Sequence, residues 1–251
     1  MLKAVTNESD IVFNGEKLTD LMVELDFVDM WMLLHLERRP TGPEKRLMNT
    51  LLVSLIDHGI TPTTIAARMT ILSAPESIQG AVAAGILGAG NRFLGVTENV
   101  TRALYDIGYE IGMAVDADWI DKAATRLVDR SKIVLGVGHN IHREVDPRVR
   151  AVEERAEALG FDLTPWKILH RAAALLSESR ETVFSVNNAG AVGAAVAALG
   201  FEPEFARGLS VVARSAGLVV HALDEKKKLP AKELWERLVH EENMNQEGEK
   251  K

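Results

Sequence analysis

The chain has 251 residues, with 29 lysines and arginines, 36 acidic residues and no cysteine. The lack of cysteine excludes disulfides, thiol nucleophiles, iron–sulfur clusters and cysteine-ligated zinc. The formal net charge of −7, without a clustered basic stretch, disfavours nucleic-acid binding. No apolar run reaches the roughly 18 residues of a membrane span, and the N-terminus lacks the apolar core of a signal peptide. The composition therefore predicts a soluble cytoplasmic protein of one or two domains.

Helical spacing of apolar residues and frequent helix-start signals predict an all-α fold. The only β-like run is IVLGV at 133–137, and a polar tail over 241–251 is predicted to be disordered. The predicted helices, in chain order, are one beginning at Thr41-Gly42-Pro43 and ending before Gly59, two beginning near Pro62 and Pro75, and others over 97–113, 116–130, 149–159, 164–176, 181–199, 203–223 and after Pro230.

The longest predicted loop, GVGHNIHREVDPR at 136–148, is rich in residues that bind anions. Gly136 and Gly138 would let the backbone approach a ligand closely and present N–H groups to it. His139 can donate a hydrogen bond or carry a proton, and Arg143 and Arg148 have guanidinium groups suited to phosphate and carboxylate. The pattern favours a functional loop, and the alternative is a solvated turn with surface arginines.

Two other ligand patterns are weak. His139 and His142 are spaced by three on a loop and no HExxH motif occurs, so no metal site is predicted. The Gly88-Ala89-Gly90 stretch superficially resembles a dinucleotide-binding fingerprint, but no strand precedes it and Phe93 stands where a glycine is required. The sequence therefore predicts no nucleotide-binding motif there.

Two residues keep alternative interpretations on sequence alone. His58, in the D-H-G triplet after an apolar helix, fits a structural helix cap at least as well as a ligand. Arg214 lies within LSVVARSAGLVVHAL, where an arginine either extends to solvent or meets a buried anion. The lysine run at 226–228 is typical of a solvated surface.

Four segments together carry a family resemblance. They are DFVDMWMLLHLERRPTGPEKRLMNTLLVSLIDHG, PESIQGAVAAGILGAGNRF, GVGHNIHREVDPR and GFEPEFARGLSVVARSAGLVVHALDE. The third fits the pattern G-x-G-H-x-x-x-x-x-x-D-P-R, with DHG upstream and R-S-A-G downstream. In this combination the chain resembles the citrate synthase superfamily, and specifically its short citryl-CoA lyase-like branch, over nearly its whole length.

The resemblance implies a fold, an assembly and a set of ligands. It implies a multi-helical fold with a large domain (1–100 and 200–240) and a smaller, mobile CoA-binding domain (101–199), paired in a homodimer. It implies no tightly bound cofactor, because coenzyme A enters as the thioester substrate. Acyl-CoA and dicarboxylate molecules are the expected partners.

The resemblance also implies roles for individual residues. His58 and His139 would hold the oxo-acid or its hydroxylated product and are the candidate catalytic residues. Arg148 and Arg214 would clamp its carboxylates. Gly136, Gly138 and Arg143 would contact coenzyme A. Lys227 or Lys228 of the partner subunit would take the place of the family's carboxylate-binding arginine.

Two departures from the family pattern bear on the chemistry. Phe93 stands where the synthases have the histidine of P-x-H-G, which favours the lyase branch with its D-R-F-G. Ala189, preceded by Asn187 and Asn188, stands where the family has the general acid/base aspartate of N-V-D-G. An alanine cannot move a proton, and loss of a general base typically costs about 10²–10⁴ in rate. Nothing in the sequence places the nearby Glu178 or Glu181 in the site.

The predicted function is therefore a citryl-CoA lyase-like cleavage of a carboxylated β-hydroxyacyl-CoA to acetyl-CoA and an oxo-acid such as oxaloacetate. One alternative is a hydrolase or lyase that acts on a different acyl-CoA. Another is a catalytically inactive homologue that still binds a CoA ligand.

Overall fold

A computed structural model describes residues 4–6, 10–13, 15–111, 117–130, 133–138 and 146–248. Helices form nearly all of the regular structure in these ranges, which confirms the all-α prediction. A short π-helical turn, Gly90–Leu94, lies between α5 and α6. The α-helices are α1 (Leu18–Glu24), α2 (Phe27–Leu36), α3 (Gly42–Leu55), α4 (Pro62–Ser73), α5 (Ile78–Leu87), α6 (Gly95–Ile111), α7 (Ala117–Arg130), α8 (Pro147–Ala158), α9 (Thr164–Arg180), α10 (Asn188–Ala198), α11 (Pro203–Lys228) and α12 (Pro230–Gly248).

A small antiparallel sheet at the N-terminus corrects the strand prediction. It contains β1 (Ala4–Thr6), β2 (Ile11–Phe13) and β3 (Glu16–Lys17), paired in the order β1-β2-β3. These strands are too short to leave an alternating pattern in the sequence. The predicted strand at 133–137 is instead a turn with one isolated bridge, from Val137 to Val186.

The helix starts predicted at Thr41-Gly42-Pro43 and near Pro62 are confirmed, whereas the helix predicted from Pro75 begins at Ile78, where Ser77 caps it. The Thr41 hydroxyl accepts from the Glu44 backbone N–H while the Glu44 carboxylate accepts from the Thr41 N–H at 2.7 Å, a capping box at the start of α3. Thr61 caps α4 in the same way. The N-terminal ends of these helices therefore follow from local chemistry.

Other boundaries differ from the prediction because tertiary contacts set them. Thr97 was predicted to cap α6 but lies inside it, where its hydroxyl group contacts the Ala206 carbonyl and the Ser210 hydroxyl at 3.1 and 3.0 Å. The helix predicted from 181 begins only at α10, because the Asn187 side chain accepts from the Gly190 N–H and caps it there. The last helix continues to Gly248, into the segment predicted as a disordered tail.

Helix α10 lies at the centre of the core and positions the candidate site. Nearly every residue of NAGAVGAAVAA is buried, and small side chains let α6 pack against it. A Cβ atom on Gly193 would come within 2.7 Å of the Val100 side chain. The start of α10 is therefore held rigidly within the described core, whereas the division into two domains stays a prediction.

The segment 136–138 is docked against the start of α10 by backbone contacts. Gly138 N–H donates to the Ser185 carbonyl at 2.7 Å, and Asn187 N–H donates to the Gly136 carbonyl at 2.9 Å. Gly136 and Gly190 pack so closely that a Cβ on either would collide with the other's backbone. Gly136 is therefore required by packing, a reason that the sequence did not reveal.

Candidate active site

A cavity of about 380 Å³ opens where the α3–α4 turn, the π-helical turn and helices α8, α10 and α11 meet. None of its described lining residues is acidic, and three are arginines. The lining residues are Ser54, Leu55, His58, Thr61, Thr63, Arg92, Phe93, Leu94, Val96, Thr97, Gly138, Arg148, Asn187, Asn188, Ala189, Ser210 and Arg214. The lining as a whole is suited to an anionic ligand.

Arg148 is held in the cavity wall by a buried carboxylate. Its Nε and Nη2 donate to the two oxygens of Asp146 at 3.0 and 2.8 Å, a bidentate pair. Asp146 is 1% exposed, caps the N-terminus of α8, and also accepts from the Asn188 backbone N–H at 3.2 Å. One carboxylate therefore fixes the guanidinium orientation and ties α8 to the start of α10.

Arg214, on α11, has the opposite environment. Its Nε is buried and has no hydrogen-bond partner among the described residues. Burial lowers the pKa of the Arg214 guanidinium, the Asp57 carboxylate raises it, and the charge of Arg148 lowers it. Because an orphaned buried donor costs about 1–3 kcal/mol, the site gains stability when an anion accepts from this group. The buried-anion interpretation of Arg214 is the one that the geometry favours.

His58 reaches the cavity from the turn between α3 and α4. The helix ends at Leu55, so His58 stands beyond the last helical turn and lines the cavity. Its neighbour Asp57 receives a hydrogen bond from His221 Nε2 at 2.8 Å. Burial acts to raise the pKa of the Asp57 carboxyl, but the hydrogen bonds from His221 and from backbone N–H groups lower it on balance. Asp57 therefore supplies negative charge beside Arg214.

The start of α10 brings amides and a methyl group to the cavity. The Asn187 side chain donates to the Gly138 carbonyl at 2.7 Å, and the Asn188 amide nitrogen donates to the Ser54 carbonyl at 3.2 Å. The Asn188 Oδ1 is buried and has no partner among the described residues. Ala189 lines the cavity beside them. This edge can accept a hydrogen bond, but none of these three side chains can take up a proton.

The π-helical turn contributes a residue that the sequence analysis did not single out. Arg92 and Phe93 both line the cavity, and Phe93 is 44% exposed. A π-helical turn inside helical structure often marks a functional site. The sequence did hold a signal for Arg92, because this residue lies next to Phe93 in the NRF segment that resembles the lyase branch.

The structure brings together His58, Gly138, Arg148 and Arg214, four of the predicted site residues, at this cavity. Their roles stay predictions. Gly136 does not line the cavity, and neither do Glu178 and Glu181, which were named as nearby carboxylates.

The remaining predicted residues lie elsewhere. Lys228 pairs with Asp224 of its own α11 at 3.0 Å and does not line the cavity, so its role in a partner's site stays a prediction. His139, His142 and Arg143 lie outside the described residues. Within the described ranges, no group of three His, Asp or Glu side chains is placed to hold a metal ion. No helix in these ranges is both long and apolar enough to cross a bilayer.

Comparison with known proteins shows the same family in sequence and in structure. The curated relatives include 2-methylcitrate synthases 1 and 2 of Corynebacterium glutamicum, 28% and 27% identical over 178 and 202 residues. These matches cover 69% and 74% of this chain but only 44% and 49% of those proteins, so the chain spans about half their length.

Among solved structures, citryl-CoA lyase from Hydrogenobacter thermophilus superposes with a TM-score of 0.78 and 27% identity, covering 90% of this chain and 86% of that chain. ATP citrate lyase from Methanothrix soehngenii, solved with citrate and coenzyme A, has the same fold at a TM-score of 0.73 and 20% identity, covering 90% of this chain and 39% of that one. The family model described as the citrate synthase C-terminal domain matches residues 12–235. The chain belongs to the citrate synthase family.

Proposed function

We propose that this protein is a citryl-CoA lyase-like enzyme that cleaves a carboxylated β-hydroxyacyl-CoA into acetyl-CoA and an oxo-acid such as oxaloacetate. The observation that carries the proposal is the concentration of Arg92, Arg148 and Arg214 in one cavity without a described acidic lining residue. The Arg214 guanidinium supports it, because it lines the cavity, its Nε has no partner among the described residues, and its charge would pair with a substrate carboxylate. The match to citryl-CoA lyase along 86% of that chain supports the lyase reaction over the synthase reaction.

The proposed reaction breaks one carbon–carbon bond without a redox change. A base removes the hydroxyl proton, and the O–H electron pair becomes the second bond of the new keto group. The bond between the α and β carbons breaks, and its electron pair moves to the thioester as an enolate. The protonated base then returns this proton to the α carbon, which gives acetyl-CoA. Arg148 and Arg214 hold the carboxylates throughout, so their charge also stabilises the oxo-acid product.

The proton transfers are assigned to histidines in this proposal. His58 faces the cavity and can donate a hydrogen bond to the hydroxyl or keto oxygen. His139 is the proposed base for the hydroxyl proton, and its place in G-x-G-H directly after Gly138 supports that role. Gly138, at φ +89°, presents backbone to the cavity, and with Arg143 it is proposed to contact coenzyme A.

A second candidate function is favoured by the α10 edge of the cavity. Ala189 leaves that edge without a carboxylate, and its small methyl group leaves room there for a bound water. A water held there would suit hydrolysis of a thioester, in which oxygen adds to the carbonyl carbon and the thiol leaves with a proton. If no water attacks and no base acts, the protein is an inactive homologue that binds a CoA ligand.

A turnover assay on citryl-CoA with two readouts separates these functions. Oxaloacetate is followed through coupled malate dehydrogenase and free thiol is followed in parallel. Release of oxaloacetate without thiol is the expected result, and release of thiol without oxaloacetate identifies a hydrolase. If neither product is released, citryl-CoA is not the substrate. Arg214→Ala should abolish the signal. Arg150→Ala, on an arginine 76% exposed beside Glu154, is the matched control and should leave it unchanged.

We also propose that the protein works as a cytoplasmic homodimer in which Lys228 of one subunit supports the partner's site. Lys228 is 75% exposed at the end of α11 and therefore accessible to a second copy. Sedimentation analysis of the full chain tests the assembly. Mixing inactive Arg214→Ala with inactive Lys228→Ala subunits tests the shared site, since mixed dimers should recover activity at one site of the two.

A further inference from the structure

Behind the cavity, polar side chains that are buried at Arg68 and half-exposed at Asp57 link α4, α11 and the turn that carries His58. Arg68, on α4, is 6% exposed, and its Nε and Nη2 lie 3.1 and 2.8 Å from His221 Nδ1. His221 Nε2 in turn lies 2.8 Å from the Asp57 carboxylate. None of these three side chains lines the cavity.

The hydrogen-bond partners of His221 fix which of its ring nitrogens carries the proton. A guanidinium has only N–H donors, so the Nδ1 that faces Arg68 must be an unprotonated acceptor. The imidazole proton therefore lies on Nε2 and is donated to Asp57. A proton on Nδ1 would face the positive charge of Arg68, so the arrangement holds the ring in one tautomer and one orientation.

Arg68, at the other end of this series of hydrogen bonds, is held by two carboxylates. Arg68 donates to Asp224 at 2.9 Å and to Glu225 at 3.1 Å. Glu225 is 1% exposed and accepts from the backbone N–H groups of Ala231 and Lys232 in the first turn of α12. A carboxylate at a helix N-terminus is favourably placed. Arg68 is thus paired with two carboxylates at this end, and the neutral His221 ring links it to Asp57 at the other.

The turn is also pressed directly onto α11. A Cβ atom on Gly217 would collide with the Ile56 carbonyl. The backbone of the turn can therefore lie against α11 here because residue 217 is a glycine. Gly217 is one turn from Arg214 and one from His221 along α11. Packing fixes the distance between turn and helix, and the hydrogen bond from His221 fixes the orientation of Asp57.

We infer that His221, backed by Arg68, is a positioning residue that orients the Asp57–His58–Gly59 turn. It keeps Asp57 beside Arg214 and keeps His58 directed at the cavity. Asp57 also accepts from the Gly59 N–H at 3.2 Å, so holding its carboxylate holds the whole turn. The inference rests on the proposed function only in the choice of oxaloacetate as a probe.

The test compares two substitutions of His221 with a matched surface histidine. Glutamine can place its amide nitrogen where Nε2 lies and donate to Asp57, whereas asparagine is too short to reach it. His221→Asn should weaken oxaloacetate binding, measured by calorimetry, about tenfold, and His221→Gln should restore most of it. His170→Asn is the control, because His170 Nε2 makes a similar 2.9 Å contact with Glu153 on the surface.

Nitrogen NMR of the histidine-labelled protein gives a readout that does not depend on the substrate. The parent should show His221 protonated at Nε2 only, and the His58 ring signals, identified by their loss in His58→Gln, should shift in His221→Asn and not in the control. Asp57→Ala, on an exposed turn that tolerates substitution, should shift them in the same way if His221→Asn does not fold. Unmoved His58 signals in these variants would overturn the inference. If the parent fails to bind oxaloacetate, that result contradicts the proposed function and not the role of His221. The His58 signals then test the role of His221 by themselves.

Discussion

The α8–α11 side of the cavity carries two guanidinium groups, whereas its α10 edge presents the methyl group of Ala189 and the amides of Asn187 and Asn188. The first side has the charges and donors that hold carboxylates. The second has no group that exchanges a proton at neutral pH. Because the guanidinium groups and the α10 edge belong to different helices, a substitution on one side need not disturb the other. The following predictions test that separation.

Restoring a carboxylate at the α10 edge should have the largest effect. If proton transfer limits the reaction, Ala189→Asp should raise citryl-CoA turnover by about 10²–10⁴. The position lies in the first turn of α10, where a negative charge is tolerated. Ala189→Asn has a similar size but cannot exchange a proton, and it should give no gain. A gain over a measurable parent rate indicates a slow lyase, and a gain from none indicates an inactive homologue. No gain over an active parent indicates that the reaction does not need a proton moved at this edge.

Removing Arg148 should damage both the fold and the binding. Arg148→Ala removes the bidentate partner of the buried Asp146 carboxylate, which should lower the free energy of unfolding by about 1–3 kcal/mol. Dicarboxylate binding should be lost while coenzyme A affinity stays nearly intact. Denaturant unfolding and calorimetry measure the two effects. The double variant with Asp146→Asn should recover much of the stability without recovering binding; recovery of both would show that Arg148 acts only through the fold.

Removing Arg214 should damage binding alone. Its Nε has no partner among the described residues, so Arg214→Ala breaks no hydrogen bond there and should leave the melting temperature nearly unchanged. Oxaloacetate affinity should fall by about 1.5–3 kcal/mol, as expected for a charged hydrogen bond. Equal affinity in the variant and the parent would remove Arg214 from the anion site.

The smallest effect concerns acid stability away from the cavity. The hydrogen bond from Arg38 lowers the pKa of Glu44 to about 2. A lowered carboxyl pKa contributes stability above the unfolded value of 4.5, and that contribution is lost as the pH falls towards about 2. Glu44→Gln should therefore flatten the pH dependence of the melting temperature in this window by a small amount, since Arg38 is exposed. A parallel curve for variant and parent would contradict the assignment.

Local chemistry explains which parts of the fold were predictable. Thr41 and Thr61 mark helix starts because their hydroxyl groups cap the first turn, and this requires only neighbouring residues. The start of α10 was placed too early because the Asn187 cap had not been recognised as one. The N-terminal strands were missed because two or three residues carry no periodicity, and only their pairing defines them.

By itself, the sequence determined the helical class, because apolar spacing and helix-start signals are local properties. The family resemblance predicted His58, Gly138, Arg148 and Arg214 as site residues, and all four line one cavity. Only the tertiary structure decided that Gly136 serves packing, that Arg92 lines the cavity, and that Arg148 is paired while Arg214 Nε has no partner among the described residues. It also decided that Arg68, His221 and Asp57 form one chain of hydrogen bonds. The physical reason is that these hydrogen bonds join residues more than 150 positions apart along the chain, which no local pattern records.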